Sequence, residues 1–398
     1  MLEQVWAGID AGKTHHHCVV IDTDGKRLLS RRVANDETAL LELIADVCGL
    51  ATRVAWGIDL RCNGAALVLT LLADHAQEVF YISGRNVSSA AGGYRGEGKT
   101  DAKDACVIAD QARMRRDLVA LRAEDELIVE LRLLVTRHQD LSDDRTRLVN
   151  RLREQLLAIC PGLERALEVT NTGPLILLTG YQTPASIRKL GVKRLATWLR
   201  ARRVRGAQAL AERVVEAAAS QTTRLPGEKL AAELVKRMAE EVIALNQQLK
   251  EVDALIEGRF RQHADADLLV SMPGIGTLLG AEFLAATGGD MSTFASADHL
   301  AGYAGLAPSP RDSGRVSGNL RRPQRYNRAL NRVFYTSALV SVQCCPASRT
   351  FYDRKRAEGK RHVQAVLALA RRRVNVVWAL LRDRRPYQAV PPLRAAAA

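Results

Sequence analysis

Four carboxylates in the first 104 residues have the types and spacing that phosphodiester chemistry on hard cations requires. Asp10 closes the apolar run VWAGID, Asp59 closes the run RVAWGID, and Asp101 and Asp104 stand three apart in KTDAKDA. Aspartates at the tips of two strands, with two more on one helical turn, can converge on a pair of divalent ions. Such ions activate water or a hydroxyl against a phosphodiester. Plainer roles compete. A strand-end aspartate can simply cap a turn, and acids in the first turn of a helix favour its dipole. The dipole accounts for Asp101 better than for Asp104, because carboxylates at i, i+3 repel unless a cation or a basic side chain offsets them. Lys99 and Lys103 could supply that offset, or contact the phosphate being cut. His15, His16 and His17 invite a zinc site, but no Cys, Asp or Glu lies at a zinc-like spacing from them. Adjacent strand residues also face opposite ways, so the three cannot share one ion.

The elements that must position these acids alternate in the manner of an α/β domain. Residues 5–10, 17–22 and 27–33 read as three strands, with DTDGK turning between the second and third. Helical spacing over 37–50, a strand at 53–59, a helix at 64–74 and a strand at 76–83 follow. This order predicts an α/β ribonuclease-H-like domain, in which the first and fourth strands are neighbours and bring Asp10 and Asp59 together. An actin-like or sugar-kinase domain begins similarly. It would need a glycine-rich phosphate loop after the fourth strand, and DLRCNG at 59–64 is a poor one. The Gly- and Ser-rich stretch 83–100 reads as a loop reaching across the sheet tips, followed by a helix over TDAKDACVIADQARM.

From residue 124 to 159 the pattern becomes one long amphipathic helix carrying Leu127, Leu131, Leu134, Leu141, Leu148, Leu152 and Ile159, closed by CPG at 160–162. A broken helical block over 174–220 and a second long helix from Leu230 to Phe260 come next. These helices pair within the chain or across a dimer. In LLVSMPGIGTLLGAEF a PGIG turn joins two apolar helical segments. That is the shape of a helix-hairpin-helix, which offers backbone N–H groups to a DNA phosphate, although glycine turns also join core helices. Residues 294–333 read as a Ser-, Gly-, Pro- and Arg-rich loop leading into a helix. The expected division is 1–120, 121–265 and 266–390.

At 398 residues the chain exceeds one ordinary core, and 47% hydrophobic residues exclude a disordered chain. The net charge of +14 is concentrated. Arg311 to Arg385 holds 19 Lys and Arg against 4 Asp and Glu, so the remainder nets about −1. Such a segment suits a polyanion, or else forms a solvated basic face. With 5% aromatics, a reader built on base stacking is disfavoured. Seven cysteines without a CxxC pair point to reduced, structural thiols. The opening MLEQVWAGID has no basic-then-apolar signal, and no apolar run approaches ~18 residues, so an intracellular protein with no membrane partner is expected.

Taken together, GIDAGKTHHHCVVID, YRGEGKTDAKDA, MPGIG and GLAPSPRDSG resemble the transposases of the IS110/IS116/IS902 group of bacterial insertion sequences, over about residues 5 to 385. The resemblance implies a RuvC-like N-terminal domain with a DEDD acidic set, matched here by Asp10, Asp59, Asp101 and Asp104. The second position is usually Glu. Asp59 shortens the reach by one methylene and keeps a hard oxygen. The periodicity read above adds a long helical middle region and a mainly α-helical C-terminal domain to the expected fold. By the resemblance, that last domain contributes a serine from GLxP…SG, matched at Ser313 with Ser317 as competitor. Independently, a hydroxyl in a Gly-flanked loop crowded by Arg311, Arg315, Arg321 and Arg322 could attack a phosphodiester whose developing charge the guanidiniums stabilise. Implied partners are Mg²⁺ (with Mn²⁺ as substitute), donor and target DNA, a structured guide RNA encoded by the element, and a homodimer or homotetramer at the bacterial nucleoid. Two rivals remain. One is a metal-dependent structure-specific endonuclease using the acids alone; the other is a non-catalytic nucleic-acid-binding protein with a degenerate ribonuclease-H-like domain.

Overall fold

The structure is a computed structural model that describes residues 2–60, 63–94, 98, 100–118, 120–121, 125–310, 312–314, 318–321 and 323–389. It divides into two compact units, Met1–Glu124 and Asp125–Ala398.

The first unit runs β1 (Leu2–Ala11), β2 (His15–Ile21), β3 (Arg27–Ala34), α1 (Glu37–Cys48), β4 (Ala51–Ile58), α2 (Ala66–Asp74), β5 (Glu78–Tyr81), α3 (Gly84–Ala91) and α4 (Asp101–Met114). Its five strands lie in the order β3-β2-β1-β4-β5. The β1–β2 and β2–β3 pairs are antiparallel, whereas β4 runs parallel to β1 and β5 parallel to β4. Gly25 (φ 80°) and the Asp22 carboxylate, which accepts from the Asp24 and Lys26 amides, close the β2–β3 turn. This is a mixed α/β unit compatible with a ribonuclease-H-like domain of DEDD type.

The two-residue period of the strands sorts their side chains. Val5, Ala7, Ile9, Val54, Trp56 and Ile58 share one core with Leu40, Leu43 and Ile44 of α1 and Leu72 of α2. On the opposite face Trp6, Val19 and Ile21 pack with Ala105 and Ala109 of α4. The expected loop over 83–100 is corrected in part. Residues 84–91 form α3, because Ser83 accepts the Asn86 amide as N-cap and Val87 is buried as an anchor.

The second unit contains α5 (Glu126–Ile159), α6 (Pro161–Ala166), α7 (Thr172–Gly180), α8 (Pro184–Ala201), α9 (Ala207–Ala219), α10 (Glu228–Phe260), α11 (Ala266–Ser271), α12 (Thr277–Thr287), α13 (Ala297–Tyr303), β6 (Ser309–Pro310), β7 (Leu320–Arg321), α14 (Arg328–Cys344), α15 (Pro346–Ala357) and α16 (His362–Asp383). The long helices α5 and α10 pack antiparallel within the chain, cross-linked by Glu130–Arg259, His138–Asp253 and Arg145–Asn246. Their ends feed two separate cores. Val149, Leu152 and Val235 join one with α7–α9, while Ile128, Leu131 and Phe260 join the other with α12, α14 and α16. The expected loop over 294–333 is likewise corrected. Ser296 caps α13, whose Leu300 and Ala301 are fully buried, and β6 pairs with β7 as a short hairpin. Among the described residues no helix is long and apolar enough to cross a membrane, and every described cysteine is a free thiol.

Candidate active site

The tripeptide Gly-Ile-Asp occurs twice, at 8–10 and at 57–59. Parallel pairing sets Gly8 opposite Gly57 and Ile9 opposite Ile58. Asp10 and Asp59 therefore emerge next to each other at the same end of adjacent strands, on the face that α4 covers. The glycines let α4 approach. A Cβ on Gly8 would lie 2.1 Å from the Ala105 carbonyl oxygen and 2.4 Å from the Ala109 nitrogen, and one on Gly57 would lie 2.9 Å from Ile108 Cγ2. With the helix seated this closely, its first turn reaches the strand tips. Thr100 starts that turn by accepting the Lys103 amide on Oγ1 at 3.2 Å.

Asp10, Asp59 and Asp104 line one cleft of about 630 Å³, together with Lys103 and with Gly84, Val87, Ser88 and Tyr94 from α3 and the segment after it. Asp101 does not line it. It sits exposed at the start of α4, and its charge acts on His17. His17 is the residue directly opposite Asp10 in the β1–β2 register. Lys99 lies outside the described residues.

The electrostatics of the cleft centre on Asp59. Burial pushes its carboxyl above the usual carboxylate range, and the charge of Asp104 adds to the shift. The Ala11 amide opposes it, donating to Asp59 Oδ1 at 3.1 Å. Two carboxylates repelling each other at a partly buried site are the setting a cation relieves. The carboxylates that face the cleft are Asp10, Asp59 and Asp104. Among the described residues no three His, Cys, Asp or Glu side chains converge tightly enough to cage an ion alone.

In the second unit, the Ser313 segment is the tip of the β6–β7 hairpin. Ser313 is exposed, flanked by Gly314 (φ 54°), and Asp312 Oδ1 holds the Asn319 amide at 2.9 Å across the tip. The base of this segment admits only glycine at 305, where φ is 68° and a Cβ would meet the Tyr326 ring at 2.3 Å. Arg321 is exposed on β7. Arg311, Arg315, Arg322 and Ser317 lie outside the described residues.

A transposase family model matches residues 7–161, and that of the transposase IS116/IS110/IS902 family matches residues 266–353. The chain belongs to the IS116/IS110/IS902 transposase family. It is 58% identical to the insertion element IS900 uncharacterized 42 kDa protein of Mycobacterium paratuberculosis, over 97% of this chain and 98% of that one. Identity to the insertion element IS116 uncharacterized 44.8 kDa protein of Streptomyces clavuligerus is 50%, over 98% of each. Over 31% of this chain and 38% of the relative, it is 34% identical to a pilin gene-inverting protein of Moraxella bovis. This transposase is an enzyme of the DNA transposase/recombinase class.

Part of the transposase's cleft was not visible in the pattern of acids. Tyr94, whose hydroxyl donates to Asp110, and Ser88 reach the cleft through α3 and the turn behind it. A serine followed three residues later by Asn and then by the lone apolar Val87 was the available sign of that helix. The PGIG turn also divides its glycines. Gly274 (φ 82°) is packed against α14, where a Cβ would lie 2.6 Å from the Ser337 carbonyl oxygen. Gly276 is exposed, with nothing near a Cβ. Beneath the turn, the buried Arg373 donates to the Pro273 carbonyl and to Ser337 Oγ.

Proposed function

We propose that this transposase cleaves and rejoins the DNA strands of its insertion sequence through a phosphoserine intermediate, with Mg²⁺ in the acidic cleft of a ribonuclease-H-like domain. The observation that carries the proposal is that Asp10, Asp59 and Asp104 all line one cleft. Carboxylate oxygen donors suit a small hard cation, which completes its shell with water and substrate phosphate rather than with a protein cage. When bound, the ion would neutralise charge on the scissile phosphate and favour a deprotonated hydroxyl. Mn²⁺ is the expected substitute.

On this proposal Ser313 Oγ attacks phosphorus, its proton passes to a base or to solvent, and the bond from phosphorus to the departing strand breaks with that strand oxygen taking a proton. A hydroxyl end of the second DNA then attacks the phosphoserine and regenerates the serine, so the phosphodiester count is conserved. The exposed hairpin tip gives Ser313 access to a strand. Arg321, with Arg311, Arg315 and Arg322, would steady the transferring phosphate. Lys103 would contact DNA at the cleft, as would Lys99. Asp101 is assigned to the same acidic set from the start of α4.

Residues 121–265 serve as the spacer and assembly region and 266–390 as the recombination module. At least a homodimer is required to handle two duplexes, and a homotetramer is favoured. The basic C-terminal segment suits donor and target DNA and a structured guide RNA alike. The deciding test replaces Ser313 and then Ser317 with Ala and scores strand cleavage in Mg²⁺. Loss in the Ser313 variant alone supports the assignment. Undiminished cleavage by both leaves a metal-dependent nuclease, whereas unchanged Mn²⁺ affinity in an Asp59→Asn, Asp104→Asn variant removes the acidic cleft. Sequencing the nucleic acid that copurifies with the protein tests the guide RNA.

A further inference from the structure

The three-histidine run has no part in the proposed chemistry, and the strand alternation splits it. His15 and His17 are on one face of β2, and His16 is on the other, fully buried at 1% exposure. His16 Nδ1 accepts the Gly12 amide at 3.2 Å. An imidazole that accepts on Nδ1 is neutral and carries its proton on Nε2. That Nε2 is buried without a well-formed hydrogen bond, and so is Asn35 Oδ1, the neighbour that bears on it. Burial accordingly holds the His16 value below that of an ordinary histidine.

Asn35 ties the turn that His16 touches to the segment at Gly64. The Asn35 side-chain amide donates to the Lys13 carbonyl at 3.1 Å and to the Gly64 carbonyl at 3.0 Å, and its backbone amide donates to Thr14 at 2.9 Å. Gly12 has room for no side chain, since a Cβ would fall 2.3 Å from the His15 carbonyl oxygen. Two consecutive amides then point to different tasks. Ala11 N–H holds Asp59, and Gly12 N–H is held by His16.

We infer that His16 is a positioning residue for the acidic cleft: its Nδ1 lone pair fixes the β1–β2 turn so that the neighbouring Ala11 amide keeps Asp59 aimed into the cleft. This rests on the acidic cleft being the metal-binding site. The imidazole contributes geometry from beneath the sheet and touches no substrate.

The test uses the full-length protein with His16→Asn, His16→Gln and His16→Leu. Asn places an acceptor near the position of Nδ1, Gln near that of Nε2, and Leu provides none. Two readouts are taken: Mn²⁺ affinity, and hydrogen exchange of the Ala11 and Gly12 amides without metal. The expected result is wild-type behaviour for Asn, with Mn²⁺ affinity lower by about tenfold or more for Gln and Leu, in the range typical of lost support around metal ligands. Both amides should exchange faster in those two variants while the melting temperature stays near wild type. Equal Asn and Gln variants in both readouts overturn the inference, and so does wild-type Mn²⁺ affinity and exchange in the Gln variant, which keeps a polar side chain should Leu fail to fold. An Asp59→Asn control separates the two ideas. If it binds Mn²⁺ like wild type, the metal site has failed, and the amide exchange alone decides whether His16 holds the turn.

Discussion

Gly8→Ala is the sharpest probe of how the cleft is built. The added methyl would stand 2.1 Å from the Ala105 carbonyl oxygen and 2.4 Å from the Ala109 nitrogen, whereas ordinary contact begins at 3.4 Å. Both obstacles are helix backbone, so no rotamer relieves them and α4 must retreat from the sheet by about 1 Å, an overpacking that costs about 1–3 kcal/mol. Urea unfolding should report that loss. The retreat also carries Asp104 away from Asp59, and a displacement of about 1 Å can cost roughly 100-fold in rate. Mg²⁺-dependent strand cleavage, measured where the variant is still folded, should fall by about that factor. Gly57→Ala is the internal control. Its nearest obstacle would be Ile108 Cγ2 at 2.9 Å, a side-chain atom that rotation can shift. Its two fixed neighbours, the Ile108 carbonyl oxygen at 3.2 Å and Ala112 Cβ at 3.3 Å, are far less close than those at Gly8. It should be the milder change in both assays. Wild-type stability and cleavage in Gly8→Ala, or greater damage from Gly57→Ala, would refute the close seating of α4 as the device that brings Asp104 to the strand tips.

Two further outcomes follow from the same cleft. Because burial and then Asp104 raise the Asp59 pKa in the folded state, the site's contribution to stability is full below the ordinary value of about 3.9 and is lost as pH rises through the shifted one. Without divalent ions at neutral pH, Asp59→Asn should therefore melt higher than wild type, with the gap closing toward pH 4; a variant that melts lower at neutral pH contradicts this sign. Thr100→Ala removes the Oγ1 acceptor of the Lys103 amide, which should cost about 1 kcal/mol and fray the turn that carries Asp101 and Asp104. Mn²⁺ affinity should drop in Thr100→Ala and recover in Thr100→Ser, and equal affinity in all three proteins would dismiss the cap's role.

Much of the first unit was legible because its signals are local. Strand alternation, the DTDGK turn and the repeated Gly-Ile-Asp each depend on a few adjacent residues, and the parallel β1–β4 register then made Asp10 and Asp59 neighbours. What local pattern missed was helix in Gly- and Ser-rich surroundings. Both α3 and α13 are short, carry one or two buried anchors and start at a serine cap. Composition averaged over such stretches looks like loop. Asp101 and Asp104 illustrate the same limit, since i, i+3 spacing places them on one turn and only packing decides that Asp104 alone lines the cleft.

By itself the sequence determined which chemistry was available: hard carboxylates at strand ends, a serine followed by glycine in an Arg-rich loop, and a basic C-terminal segment. It also determined the α/β order of the first unit, through periods of two and 3.6 that need no partner to be read. Tertiary structure decided the distances. The bare backbone at Gly8 and Gly57 sets how near α4 may come, and the antiparallel α5–α10 pair settles the long apolar stripes within the chain. It also buried His16 against the Gly12 amide, next to the Ala11 amide that donates to Asp59. Such facts arise from atoms far apart in sequence meeting at close range, where excluded volume and unpaired polar groups carry the energy.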